Sequence, residues 1–512
     1  FLTFFVTYQK IEKLRMKNLI ITGLLLASIS FAGLSQREIG YVEYDLDNGI
    51  HVILHEERST PIVAVSVLYH VGSKNEKDER TGFAHFFEHL LFEGSENIDR
   101  GEYSELVEKN GGTLNANTSW DRTFYYEILP SNQLELGLWL ESERLLHAKV
   151  DNTGIETQRS VVKEEKRQRD TPYSSFIEEM FSRMYPDHPY RWMPIGSMEH
   201  LDAAEEKDYV DFYRTFYVPA NATLTIAGDI DIEETKKWIN KYFNSIPKGQ
   251  ALNLYRDLET MEEEAFVDAY GISKERFDVN DFSNPDGKMA GALLNKLSNS
   301  PIRIPRPTEP QEKLTEVKKA VVHDNIQLPA LFMGYQTPSQ THEDMYALQM
   351  MNDVLAGGAS SRINKSLVEQ KQMAVQAFAF AFGLEQAGVA LFGAIGSAGQ
   401  ELDAIQSEFD IQIKMIQDEL ISQEEFEKVR NQYENDIVSS NSTIAGIAEN
   451  LADNHVYNGG AEKINTELSK YLNVTREDIQ RVAKKYLTQD ARIVLHYLPM
   501  EEGAEESENG QN

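Results

Sequence analysis

The 512-residue chain carries 50 basic against 82 acidic residues, a formal charge of −32, and its 41% hydrophobic and 10% aromatic content is ample for packed cores. Such acidity excludes a nucleic-acid partner, whose phosphates require a basic face. It serves solubility first, with a lesser reading in which an acidic cavity draws basic peptides. Cysteine is absent, which excludes disulfides, thiol catalysis and Cys-ligated zinc, so any metal must rest on His, Asp and Glu.

In chain order, Met16-Lys17, the apolar run 19–32 and the small residues Ala32, Gly33 and Ser35 read as an export signal. Residues 1–35 are therefore expected to be upstream residues plus leader, with 1–15, which lack an initiating Met, read as sequence translated in error. An uncleaved anchor is the rival reading. No later run is long enough to span a bilayer, so no stable membrane span is expected once the leader is removed, and the location is periplasmic or secreted.

Residues 41–44, an Asn48-Gly49 turn and residues 51–54 predict a hairpin. Residues 63–69 predict an apolar strand, and a polar loop then leads into a helix carrying His85-Phe86-Phe87-Glu88-His89. A helix over 102–109 stops at Gly111-Gly112. Strands over 113–118 and 122–129 follow, then helices over 134–146 and 154–169, the latter starting at a capping box of Thr153 and Glu156. A helix near 205–216, a strand over 222–227 and a helix over 232–243 close the first half.

The second half repeats the first. Residues 320–323 and 328–335 echo 51–54 and 63–69, and Leu355-Ala356-Gly357-Gly358 echoes Leu91-Phe92-Glu93-Gly94 as a helix ending at glycine. The expected fold is α+β: two homologous α/β domains, each an antiparallel sheet with flanking helices, closing as a clamshell. The expected divisions are a zinc-binding domain over 36–250, an acidic and Pro-rich linker or insertion over 251–312, a homologous domain over 313–500, and a disordered tail over 501–512. The linker's extra length has no sequence explanation. With the glycine ends superposed, Gln349, Asn352 and Asp353 stand where His85, Glu88 and His89 do, so the second half lacks metal ligands.

Residues four apart share a helix face, so His85 and His89 can grip one ion. Glu88 lies on the same side, close enough to take a proton from a water on that metal without becoming a ligand. The third ligand is sought on the 154–169 helix, where Glu165 shares a partly apolar face with Gln158, Val161 and Val162, while Glu164 shares a solvated face with Thr157, Ser160 and Gln168. Glu165 is preferred. Ala356–Ser361 lacks the lysine of a phosphate loop. Trp120, Trp139 and Trp192 read as core or cleft-lining residues, and His188 and His200 have no partner at ligand spacing.

The H-x-x-E-H helix, with a glutamate 76 positions beyond its second histidine, resembles the M16 (pitrilysin/insulinase, mitochondrial processing peptidase-like) metallopeptidases of the short two-domain bacterial type. Residues 46–49, 69–73, 82–85 and 216–219 share in the resemblance. It implies a zinc endopeptidase in which His85, His89 and Glu165 bind Zn2+ and Glu88 is the catalytic base acting on peptide substrate. It further implies that Asn115, Ala116, Asn117 and Thr118 form an edge strand onto which substrate adds, which suits the physics of an unpaired edge. One departure is expected to matter: Val368 and Val375 stand where the family supplies an Arg and a Tyr to grip the developing oxyanion. The resemblance thus implies the zinc subunit of a heterodimer, with a partner subunit carrying the Arg/Tyr pair. The alternative is a non-catalytic peptide-binding or assembly subunit that retains zinc.

Overall fold

The computed structural model describes residues 38–500 apart from 275, 276, 278–284 and 311, so the expected leader and acidic tail lie outside the described residues. The first sheet holds β1 (Val42–Asp45), β2 (His51–Glu56), β3 (Ile62–Tyr69), β4 (Thr113–Thr118), β5 (Thr123–Pro130) and β6 (Ala222–Gly228), in the order β1-β2-β6-β3-β5-β4. The second holds β7 (Lys318–Asp324), β8 (Ala330–Thr337), β9 (Ala374–Gly383), β10 (Gly388–Gly396) and β11 (Ile493–Pro499), in the order β7-β11-β8-β10-β9. Without β1 the two orders coincide, which is the duplication in three dimensions. The sheets are mixed rather than wholly antiparallel, because β2 pairs with β6 and β7 with β11 in parallel. Each closing strand returns after a long helical excursion, and such crossovers permit parallel pairing where tight hairpins do not.

The first half carries α1 (Phe83–Leu90), α2 (Glu102–Lys109), α3 (Leu134–Leu146), α4 (Asn152–Arg169), α5 (Phe176–Met184), α6 (Met198–Ala203), α7 (Glu206–Phe216) and α8 (Ile232–Tyr242). Helix α2 ends in a Schellman motif: the Gly112 N–H donates to Val107 O, and the Gly111 N–H donates to Glu108 O, with Gly111 at φ +79°. Helix α4 begins earlier than its expected capping box. Asp151 is the cap, accepting from the Gly154 N–H, and Thr153 lies inside the helix. The Asn48-Gly49 turn is tied down as well as tight, since the Asn48 amide donates to Phe243 O and Ile246 O beyond α8.

The expected linker is structured. Helices α9 (Ala251–Thr260), α10 (Glu263–Tyr270) and α11 (Pro285–Ser298) enclose a small core of Leu254, Phe266, Ile272, Phe277 and Ala290. Arg256 is buried over the Tyr213 ring and donates to Leu145 O and Tyr217 O, fixing this unit to the first half. The segment that follows straps across, its Arg306 donating to His70 O and to the Asn221 side chain.

The second half carries α12 (Asp344–Ala356), α13 (Leu402–Asp418), α14 (Gln423–Ser440), α15 (Ile444–Tyr457), α16 (Glu467–Leu472) and α17 (Arg476–Tyr486). The glycine ends differ: α12 runs directly into Gly357, whereas α1 stops at Leu90, short of Gly94. The halves also exchange a helix. Helix α5 lays Met180, Phe181 and Met184 on the second sheet, among Phe332, Val389, Leu391, Leu495 and Tyr497. Helix α15 lays Ala448 against Ala64 and Ala227, and Ala452 against Leu68 and Phe124, on the first. Small residues mark both crossings. A Cβ on Gly334 would meet the Met180 sulfur at 2.3 Å, so glycine lets α5 approach. Covered on both faces, β3, β6 and β8 are almost wholly buried, which explains their nearly continuous apolar sequences.

Candidate metal centre

Helix α1 buries Phe83, Phe86, Phe87 and Leu90 against the aromatic face of Tyr209, Phe212, Tyr213 and Tyr217. Its N-terminus has no side-chain cap of its own, because Gly82 occupies the cap position at φ +91°. The cap comes from the preceding loop. Buried Glu76 accepts from the Gly82 and Ala84 N–H groups, each at 2.8 Å. Gly82 and Gly196 pack backbone to backbone, and a Cβ on Gly196 would fall 2.2 Å from the Gly82 nitrogen. The other end is held by Arg144, which donates to Leu91 O, and by the Tyr125 hydroxyl, which donates to Phe87 O at 2.8 Å. Arg144 is buried between Glu127 and Glu141 and stacks over Phe92, Tyr103 and Tyr125. Burial pushes the Glu127 carboxyl well up from the ordinary glutamate value.

On this fixed helix His85 is buried, while Glu88 and His89 are half-buried. Glu165 reaches them from α4, its Oε2 lying 3.3 Å from His85 Nε2 and 3.3 Å from His89 Nε2. The two rings are 4.9 Å apart and inclined at 76°. Donors about 2.0–2.1 Å from a tetrahedral zinc stand about 3.3 Å from one another, so both Glu165–His separations match paired donors on one zinc, and all three ligand atoms lie within 4.8 Å of one another. Glu165 Oε2 is buried without a hydrogen-bond partner, an orphan that an ion between the three groups would satisfy. The other oxygen, Oε1, pairs with Arg169. The close approach of His85 leads the causes that bring the Glu165 carboxyl down to about 2 against the cost of burial, and burial and the neighbouring His85 lower His89. These residues fit a divalent metal of the zinc class. They form one of two such clusters among the described residues, the other being Glu43, His51 and His455.

The face reading that chose Glu165 holds for Gln158 and Val162, which point inward, but Val161 is 43% exposed. Gln158 donates to Glu93, whose other oxygen meets Arg100 at 2.6 Å, and this link sets α4 against the chain leaving α1. Glu164 turns outward to Gln168 and Arg167. Sequence reasoning missed Glu76 and Glu93. Their only local signal was an acid within an otherwise polar loop before the motif and one after it.

β4, which contains Asn115, Ala116, Asn117 and Thr118, lies at the edge of its sheet and pairs with β5 alone. The Ala116 N–H is taken by the Asn115 side chain at 2.8 Å, and Arg122 donates to Asn117 Oδ1. Trp120 packs between the halves, stacking on Phe181 and Phe382, and donates to Trp192 O, while the Trp192 indole donates to Ser73 O. His188 meets Gln386 and His200 meets Thr81, so both are structural. In the second half Val368 sits in a π-helical turn, Asn364–Gln370, against the core, and Val375 is exposed on β9. Gln349 accepts from the Tyr471 hydroxyl, and Asp353 is hydrogen-bonded to Tyr433.

Two mixed sheets with exchanged helices, and a His-His-Glu cluster between α1 and α4, define a two-domain architecture with a candidate metal centre in its first half. A family model described as insulinase (peptidase family M16) matches residues 51–191, and one described as the peptidase M16 inactive domain matches residues 205–433. The chain is 28% identical over 456 residues to the zinc protease PqqE of Helicobacter pylori, covering 88% of this chain and 91% of that one. It is 22% identical over 458 residues to YmxG of Bacillus subtilis, named an uncharacterized zinc protease, covering 88% and 97%. The crystal structure of a protease from Helicobacter pylori superposes with a TM-score of 0.74 at 26% identity, covering 90% of this chain and all of that one. The chain belongs to the M16 peptidase family.

Proposed function

We propose that this chain is a zinc-dependent endopeptidase that hydrolyses peptides or unfolded segments. The observation that carries the reading is the orphaned Glu165 Oε2, equidistant from His85 Nε2 and His89 Nε2. His85, His89 and Glu165 hold the ion, and zinc bound there supplies Lewis acidity, polarising a carbonyl and acidifying water. Glu88, one residue before His89 and outside the triad, accepts the proton of the attacking water and passes it to the leaving amine. Residues 115–118 align substrate backbone along the open edge of β4, where the Ala116 N–H is free to exchange its Asn115 partner for a substrate carbonyl.

Val368 and Val375 favour a divided enzyme, in which a partner subunit supplies an Arg and a Tyr to the oxyanion. The same pair of residues favours the second reading, a peptide-binding or assembly subunit that keeps its zinc without turnover. The leader-like segment 16–35 supports export to the periplasm or medium, and no helix among the described residues is long and apolar enough to cross a membrane. The matching strand orders support 36–250 and 313–500 as the duplicated units, with 251–312 inserted between them.

A quenched-peptide digest with and without the candidate partner, comparing wild type with Glu88→Gln, tests the proposal. Turnover that disappears in the variant while zinc is retained supports it. Equal turnover in both rejects Glu88 as the base, and none under any condition favours the second reading.

A further inference from the structure

The other cluster, Glu43, His51 and His455, has ligand atoms that all lie within 4.8 Å of one another. Its members come from both halves. Asp45 and His51 face each other across the β1–β2 ladder, Glu43 is two residues along on the same face, and His455 projects from the exchanged helix α15. Asp45 Oδ1 lies 2.8 Å from His51 Nδ1, and Glu43 Oε2 lies 3.3 Å from His51 Nε2. A carboxylate orienting a ligand histidine through its far nitrogen is the recurring outer support of metal sites. The 3.3 Å separation again matches two donors on one zinc, about 3.3 Å apart.

Ordinary ion pairing explains only part of this. Pairing of His51 with its two carboxylates leaves out His455, whose ring lies 3.5 Å away and 5° from parallel. The His455 imidazole stacks on His51 and makes no hydrogen bond among the described residues. Two adjacent imidazoles with a carboxylate at ligand spacing is a donor set that suits zinc and its neighbours. Nothing hydrogen-bonded to the His455 ring opposes the tilt that brings its nitrogen onto a shared ion.

We propose that Glu43, His51 and His455 form a second zinc site, with Asp45 orienting His51, that staples the exchanged helix α15 to the β1–β2 hairpin. The site is structural. It is built from the edge of the first sheet and does not use the His85 centre, so either site can stand if the other fails.

The test uses the full chain, stripped with chelator and re-equilibrated with zinc near neutral pH, with zinc per chain and thermal melting as readouts. Wild type is expected to hold two zinc ions, His85→Gln/His89→Gln one, and His455→Asn one. Zinc should raise the melting temperature of the His85→Gln/His89→Gln chain, and adding His455→Asn should abolish that rise. Should His455→Asn fail to fold, Glu43→Gln, on a solvent-facing side chain, replaces it and is expected to weaken the second site at least tenfold. A folded His85→Gln/His89→Gln chain that takes up no zinc overturns the proposal, as does a Glu43→Gln chain that binds both ions as tightly as wild type.

Discussion

Helix α1 presents His85 and His89 toward Glu165 of α4, while its counterpart α12 presents Asp353 toward α14 and Gln349 toward α16. Across the first helix pair Glu165 stands between two imidazoles. Across the second, Tyr433 hydrogen-bonds Asp353, and Gln349 is engaged by Tyr471. The backbone is shared, so the fold does not itself make a metal centre. A centre needs a third donor from the second helix and a carboxylate left without a protein partner. In the second half the one carboxylate of the equivalent trio, Asp353, is already hydrogen-bonded to a neutral donor, the Tyr433 hydroxyl.

Four changes break or sharpen that contrast. Glu88→Gln is expected to reduce turnover by about 10²–10⁴-fold with zinc content unchanged, measured by peptide cleavage and metal analysis. Glu76→Ala removes the borrowed cap of α1 and should cost about 1–2 kcal/mol in denaturant unfolding. Zinc affinity should also fall about tenfold or more, because the ligand helix loses its anchor.

The third change is acid. Glu385, from the β9–β10 turn, enters the first half to meet Lys74 and His70. Burial opposes its ionisation, but the hydrogen bond from His70 and the charge of Lys74 outweigh it and bring the carboxyl down to about 2. Its contribution is full above the ordinary glutamate pKa and is lost as pH falls from there toward 2. Stability should drop over that window by on the order of 2 kcal/mol, discounted for partial exposure, and Glu385→Gln should flatten the drop. The smallest effect belongs to Tyr433→Phe, which should destabilise by about 1 kcal/mol by unpairing half-buried Asp353, with zinc and turnover untouched.

What the sequence revealed follows the distance over which each feature is made. His85, Glu88 and His89 lie within one helical turn, so their spacing alone was enough. Glu165 emerged from helix periodicity, and the edge position of β4 from the resemblance, with the strand order supporting it. The helix exchange was not legible, because Gly334 and Ala448 read as ordinary small residues until Met180 and Ala64 arrive from the other half. Glu76 was missed because a cap usually adjoins its helix, whereas this one reaches across six residues of loop. The 251–312 helices were hidden by acidic and proline-rich composition, although Leu254 and Phe266 close a core.

Anomalous X-ray scattering at the zinc edge, on crystals of the zinc-loaded chain, tests the central claim most directly. A strong peak about 2.0–2.2 Å from His85 Nε2, His89 Nε2 and a Glu165 oxygen is the predicted result. Density that shows all three side chains ordered with no anomalous signal among them would contradict it.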